Sequence, residues 1–185
     1  MAKLSDRRVQ DRRQAILDAA SALFAQRGFA GTSMADIVAA SGVATGTVYR
    51  YFDNKDAVVM AASESALGLR FDTGDGDPPS LTDAIAALMA AAIDERRGQI
   101  GNQVWARATS AAPLRSLIAE RHTGVCRWLA RAIDRTAGDP SPTAQHRAEM
   151  IICAVSGLQI RVAAGVRVDT DAFRATLLSI ALADQ

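Results

Sequence analysis

Apolar positions along this chain recur at three- and four-residue intervals, the period of a helix with one face turned inward. The first stripe runs through Ile16, Ala20, Leu23 and Phe24 and stops at Gly28, a residue that accepts the left-handed conformation common after a helix. Ser33 and Asp36 then stand at capping-box spacing, which predicts a short helix burying Met34, Ile37 and Val38 and ending at Ser41-Gly42. Thr45 reads as the cap of a third helix, from Gly46 to about Phe52, and a longer helix follows from Lys55. Residues 72–80 are rich in Asp, Gly and Pro and mark a loop. After it, Ser80 and Asp83 repeat the capping-box spacing ahead of a helix buried along Leu81, Ile85, Leu88 and Met89, expected to end at Gly98. Further helices are predicted around 100–111, from Pro113, from Pro142 to Gly165 and from Asp171 to Ala183. The pattern is that of an all-α chain of about nine helices.

Composition changes this picture little. Hydrophobic residues make up 49% and charged residues 22% of 185, as expected of a chain with a real core. No stretch of ~20 apolar residues offers a membrane span, and the polar N-terminus does not resemble a secretory signal, so a cytoplasmic protein is expected. Cys126 and Cys153 show no CxxC spacing and read as isolated, buried, reduced thiols. His122 and His146 read as lone histidines, so neither a metal site nor a cofactor is expected. No Ser/His/Asp, paired-carboxylate or Gly-rich phosphate-loop pattern occurs at usable spacing, which argues against an enzyme. The formal charge of +1 does not announce a polyanionic partner, but its distribution is uneven. Lys3, Arg7, Arg8, Arg12 and Arg13 crowd the N-terminus, opposed there only by Asp6 and Asp11.

Residues 30–56 carry the chemistry. A short capped helix, a turn through Ser41-Gly42-Val43 and a second short helix form the pattern of a helix-turn-helix, whose second helix lies in the major groove of DNA. Val43, Val48 and Phe52 supply apolar contacts that fix the angle between the two helices. The opposite face carries Thr45, Thr47, Tyr49 and Arg50, all hydrogen-bond donors.

The run from Thr32 to Asp56, and above all Gly46-Thr-Val-Tyr-Arg-Tyr-Phe52 with Lys55, resembles the DNA-binding domain of the TetR family. Ile16-Leu-Asp-Ala-Ala, Leu23-Phe24 and Gly28-Phe29 match that family's first helix in order and spacing. The resemblance implies a three-helix DNA-binding domain over 1–55 and a helical ligand-binding and dimerisation domain over 56–185. It places Thr45, Gly46 and Thr47 in the first turn of the recognition helix, with Ala44 before them where many relatives carry a polar or charged residue. It further implies that Tyr49, with Tyr51 beside it, and Lys55 reach phosphates, that Ser33 offers another phosphate contact, and that the basic N-terminus forms an arm toward the DNA. Arg50 completes the DNA-binding set.

The same resemblance implies a homodimer, and the apolar stripes Ile151, Ile152, Val155, Leu158 and Val162, then Phe173 and Leu177, are expected to pair two copies. Met60, Leu67, Phe71, Met89, Ile93, Trp105 and Trp128 are expected to line a pocket for a small apolar or amphipathic effector. The resulting expectation is a repressor that holds a palindromic operator in double-stranded DNA until an effector releases it. The alternative is a small-molecule-binding or protein-interaction module with little specific DNA binding.

Overall fold

A computed structural model describes residues 2–68, 78–136 and 138–182, with side chains from Arg8 onward, and its regular structure is all helical. Among the described residues there are nine helices: α1 (Ala2–Arg27), α2 (Met34–Ser41), α3 (Thr45–Tyr51), α4 (Lys55–Leu67), α5 (Leu81–Ala92), α6 (Glu95–Ala108), α7 (Ala112–Asp134), α8 (Pro142–Ala163) and α9 (Thr170–Leu182). Most boundaries follow from local chemistry. The side chains of Ser33, Asn54, Ser80, Asp94 and Ser141 each accept from an amide in the first turn that follows, while Gly28 and Gly42 adopt φ of 74° and 65° after α1 and α2.

The buried side chains form two clusters. In the first, Ile16, Ala20 and Phe24 of α1 meet Ile37, Val48, Val58 and Ala62 of the next three helices. Phe29 meets the Phe24 ring edge-on, with centroids 5.0 Å apart. Ile100 and Val104 of α6 and Leu114, Leu117 and Ile118 of α7 close this cluster from the far side, so the helix-turn-helix shares its core with the helices beyond it. The second cluster packs Ile85, Leu88 and Met89 against Trp128, Leu129, Ile151, Leu158 and Leu177. Each fully buried side chain of this size contributes about 1.5–3 kcal/mol.

Four details differ from the sequence pattern. The basic N-terminal run is not an arm, because α1 begins at Ala2 and Lys3, Arg7, Arg8, Arg12 and Arg13 belong to that helix. Thr45 is not a cap: Ala44 holds the N-cap position of α3 with no side-chain hydrogen bond, and Thr45 is the first helical residue. Gly98 does not end a helix. It lies buried inside α6, where a Cβ would meet the Ala163 Cβ at 3.3 Å, so it is small because α8 crosses there. The break falls instead at Ile93-Asp94, where Asp94 caps α6.

The fourth concerns the stripes expected to pair two copies. Ile151, Val155, Leu158 and Leu177 are buried within the chain itself, and Ile152, Val162 and Phe173 pack against the same cluster. What α8 leaves exposed is a different line, Met150, Cys153 and Ile160. Adjacent apolar residues at 150–152 made either side of α8 a reasonable inner face; α5, α7 and α9 select the Ile151 side.

Candidate nucleic-acid interface

The capping box of α2 is complete. The Asp36 amide donates to Ser33 Oγ at 3.1 Å, while the Ser33 amide and hydroxyl donate to Asp36 Oδ2 at 2.8 and 2.5 Å. Those two hydrogen bonds from Ser33, the hydroxyl's first, hold the Asp36 carboxyl below the ordinary carboxylate range, with Arg27 adding a weaker pull across 3.7 Å. Ser33 therefore meets a phosphate only by turning its hydroxyl away from Asp36.

The turn after α2 sets α3 against α1 and α2 through Val48 and Phe52, both buried, with Arg13 of α1 over the Phe52 ring at 5.4 Å. Ala44, Thr45, Gly46, Tyr49 and Arg50 are exposed on the other side and Thr47 is half-buried. With no side-chain cap at Ala44, and with the Thr47 and Val48 amides both given to the Ala44 carbonyl, the Thr45 and Gly46 amides are the ones of the first turn without an acceptor inside the helix. A Cβ at Gly46 would meet nothing within 4 Å, so that edge of α3 is open to a close backbone approach.

Two residues of the expected DNA set are placed differently. Tyr51 packs against the first cluster, its hydroxyl buried without a hydrogen-bond partner among the described residues and its ring beneath the Arg50 guanidinium at 5.5 Å. It stands apart from the exposed Tyr49. Lys55 is committed to the fold: Nζ donates to the carbonyls of Phe29 at 2.9 Å and Thr32 at 3.1 Å, tying the start of α4 to the turn before α2. One of its three donors remains.

Sequence reasoning missed the residues that hold this unit from behind. The Phe29 amide donates to Gln103 Oε1 of α6 at 2.8 Å, and Gln103 Nε2 donates to the Phe24 carbonyl at 2.9 Å and to the Gln99 carbonyl at 3.2 Å. Phe29 is thus held by Gln103 at its amide and by Lys55 at its carbonyl. Elsewhere along α6, Arg107 pairs with Asp56 at 2.9 Å and Arg97 donates to the Ala66 carbonyl at 3.2 Å. Nothing local in the sequence marks Gln103; the pairing spans 74 residues.

The residues expected to line one effector pocket are dispersed. Met60 and Leu67 pack on the first cluster, Met89 and Trp128 in the second, and Ile93 and Trp105 are about half exposed. Phe71 lies outside the described residues. Cys126 and His122 are not isolated, since Cys126 Sγ donates to Glu149 Oε2 at 3.0 Å and lies 3.5 Å from His122 Nε2, and neither thiol is fully buried: Cys126 is half-buried and Cys153 exposed. Burial, then the hydrogen bond to Glu149, push the Cys126 thiol up to about 12.

Residues 16–62 match the model of the bacterial regulatory proteins of the tetR family. Over 108 residues the chain is 32% identical to the transcriptional regulator AcrR of Shigella flexneri, covering 54% of this chain and 50% of that protein. Over 48 residues it is 44% identical to the transcriptional repressor KstR2 of Rhodococcus jostii, 26% of this chain and 24% of that protein. The chain thus spans half or less of the length of these curated relatives. Among solved structures, a TetR-family transcriptional regulator from Rhodococcus sp. superposes with a TM-score of 0.72 at 25% identity, over 92% of this chain and 97% of that one. A TetR-like regulator from Rhodococcus sp. RHA1 does so with a TM-score of 0.67 at 26% identity, over 94% and 97%. Residues 16–62, which hold the helix-turn-helix, thus match the tetR family of bacterial regulatory proteins, and the chain shares its fold with TetR-family regulators over more than nine-tenths of its length.

Proposed function

We propose that this chain is a sequence-specific DNA-binding transcriptional regulator, acting in the cytoplasm as a homodimeric repressor on a palindromic operator and released by a small-molecule effector. The observation that carries the reading is the division of α3. Val48 and Phe52 pin the helix to the domain, while Ala44, Thr45, Gly46, Tyr49 and Arg50 stay exposed on a face that no other element covers among the described residues. The first turn of this seven-residue helix has no side-chain cap, and its residues Thr45 and Gly46 are exposed. Presented to a major groove, its amides and hydroxyls meet phosphates and base edges. Tyr49, Thr45 and Thr47 serve as the contacts on α3, Arg50 adds a charge-assisted contact, and the third donor of Lys55 reaches toward the backbone.

A dimer is part of the reading because specific sites need ~4–10 kcal/mol over non-specific binding, more than one short helix supplies. An effector that prefers the geometry off DNA needs ~1–3 kcal/mol of coupling to change affinity ~5–150-fold. The α6 contacts at Gln103, Arg107 and Arg97 give such coupling a mechanical route to α1 and α4.

Selection from randomised duplex DNA with purified protein tests the proposal. Enrichment of a palindrome whose affinity falls in the Tyr49→Phe variant is the expected result. Failure to enrich any sequence would overturn it and favour a module that binds small molecules or proteins through the same fold.

A further inference from the structure

The chain contains two histidines and two cysteines in 185 residues, and its fold concentrates them. His122 and Cys126 stand one turn apart on α7, and Glu149 faces them from α8. His122 Nε2 lies 2.8 Å from Glu149 Oε2, Cys126 Sγ lies 3.0 Å from the same oxygen, and Sγ to Nε2 is 3.5 Å. His146 lines the same cleft, and Cys153 sits one turn beyond Glu149 on α8. We propose that His122, Cys126 and Glu149 form a binding site for a zinc-class divalent metal ion in the cleft between α7 and α8.

The donor set and its geometry carry this. Imidazole, thiolate and carboxylate are the three ligand types of zinc sites, and three protein ligands with water in a fourth position is a common arrangement. Tetrahedral bonds of ~2.3 Å to sulfur and ~2.0–2.1 Å to nitrogen put the two donor atoms about 3.5 Å apart, the distance found between Cys126 and His122. The carboxylate oxygen sits closer than a metal-bound one, as expected while it accepts the Cys126 proton in a hydrogen bond, and a shift of about half an ångström opens the site. Calcium and magnesium require all-oxygen cages, which a thiol and an imidazole do not provide. Entry is open, since Glu149 is exposed and His122 and Cys126 are half-buried.

Binding exchanges a proton for the metal: the ion bonds to Cys126 Sγ, the S–H bond breaks, and the proton leaves to solvent. Glu149 gives up its hydrogen bonds from the thiol and from His122 and coordinates, while the Nε2 proton of His122 moves to Nδ1 by exchange with solvent so that the neutral ring binds through Nε2. The bound ion bridges α7 to α8, in place of the hydrogen bonds that join them there now.

Metal-stripped full-length protein, without DNA, is titrated with cobalt(II) and then with zinc(II) against a chromophoric chelator. The expected result is one cobalt per chain with a thiolate charge-transfer band, displaced by zinc, and a rise in thermal midpoint on adding zinc. Cys126→Ser should lose the band, and Glu149→Gln and His122→Gln should each weaken zinc by at least about tenfold, with the helical circular dichroism unchanged. Glu149→Gln, exposed and isosteric, reports even if a substitution at Cys126 unfolds the chain. No cobalt uptake by the wild type, a band retained in Cys126→Ser, or an undiminished zinc affinity in Glu149→Gln would overturn the site. None of these outcomes bears on the DNA-binding reading.

Discussion

At Lys55 the fold and the proposed function compete for one side chain. The resemblance makes it a phosphate contact, but its ammonium spends two donors on the carbonyls of Phe29 and Thr32. Lys55→Ala leaves both carbonyls without a charged donor, and such a bond is worth roughly 1.5–3 kcal/mol. The expected outcome is a lowered thermal midpoint together with weaker binding of every DNA sequence. Tyr49→Phe removes only an exposed hydroxyl, so its binding should weaken at an unchanged midpoint. Thermal melts beside binding curves separate the two; an unchanged midpoint in Lys55→Ala would refute the structural role. A second expectation concerns pH. Asp36 has its pKa lowered by Ser33, so its contribution is full above the ordinary carboxylate range and disappears as pH falls through its folded value. Acid unfolding of Ser33→Ala should therefore differ from wild type near neutrality and converge with it at low pH. A gap that widened toward acid would contradict the sign.

Among the elements, α6 does the most that a local reading cannot see. A helix around 100–111 is legible, yet its start at the Asp94 cap is not, and Gly98 looked like a stop because the sequence does not show that α8 crosses there. A Cβ at Gly98 would meet Ala163 Cβ at 3.3 Å and the Gln159 side chain at 3.4 Å. Gly98→Leu is therefore expected to prise α6 from α8 and to cost about 1–3 kcal/mol by overpacking, read as a lower midpoint in chemical denaturation. Gln103→Ala tests the other side of the same helix. It strips the Phe29 amide of its acceptor, for about 1–3 kcal/mol, while the Phe24 carbonyl keeps the Gly28 amide as a donor. What was legible, then, was chemistry within a turn or two: Ser33 with Asp36, Ser80 with Asp83, Gly28, Gly42, and the polar face of α3. What was not legible depended on which helices become neighbours, as with Gln103 and Phe29 or with Cys126 and Glu149. Thr45 failed for a subtler reason, since a threonine one residue past the cap carries the same local signal as the cap itself.

For the whole molecule the proposed dimer needs a face of its own, because the residues first expected to pair two copies are already used inside the chain. Ile151 and Leu158 are almost fully buried inside the chain, whereas Met150 is 68% and Ile160 55% exposed on the opposite side of α8, with Cys153 and Gly157 between them at helical spacing. A Cβ at Gly157 would meet nothing within 4 Å, so a second helix could approach closely there. On α9, Ile180 is also exposed, at 44%. These residues make the better candidate interface, and the two stripes make opposite predictions. Met150→Glu combined with Ile160→Glu should leave each chain folded and helical but monomeric in sedimentation. Its affinity for a palindrome should fall roughly 100-fold or more as bivalent binding is lost, while binding to a single half-site is unchanged. Leu158→Ala should instead cost ~2–5 kcal/mol of stability through the cavity it leaves, with the dimer retained at temperatures where the chain is folded. If the double variant stayed dimeric, or lost its helicity along with its DNA binding, the exposed line on α8 would not be the interface, and two copies would have to meet elsewhere.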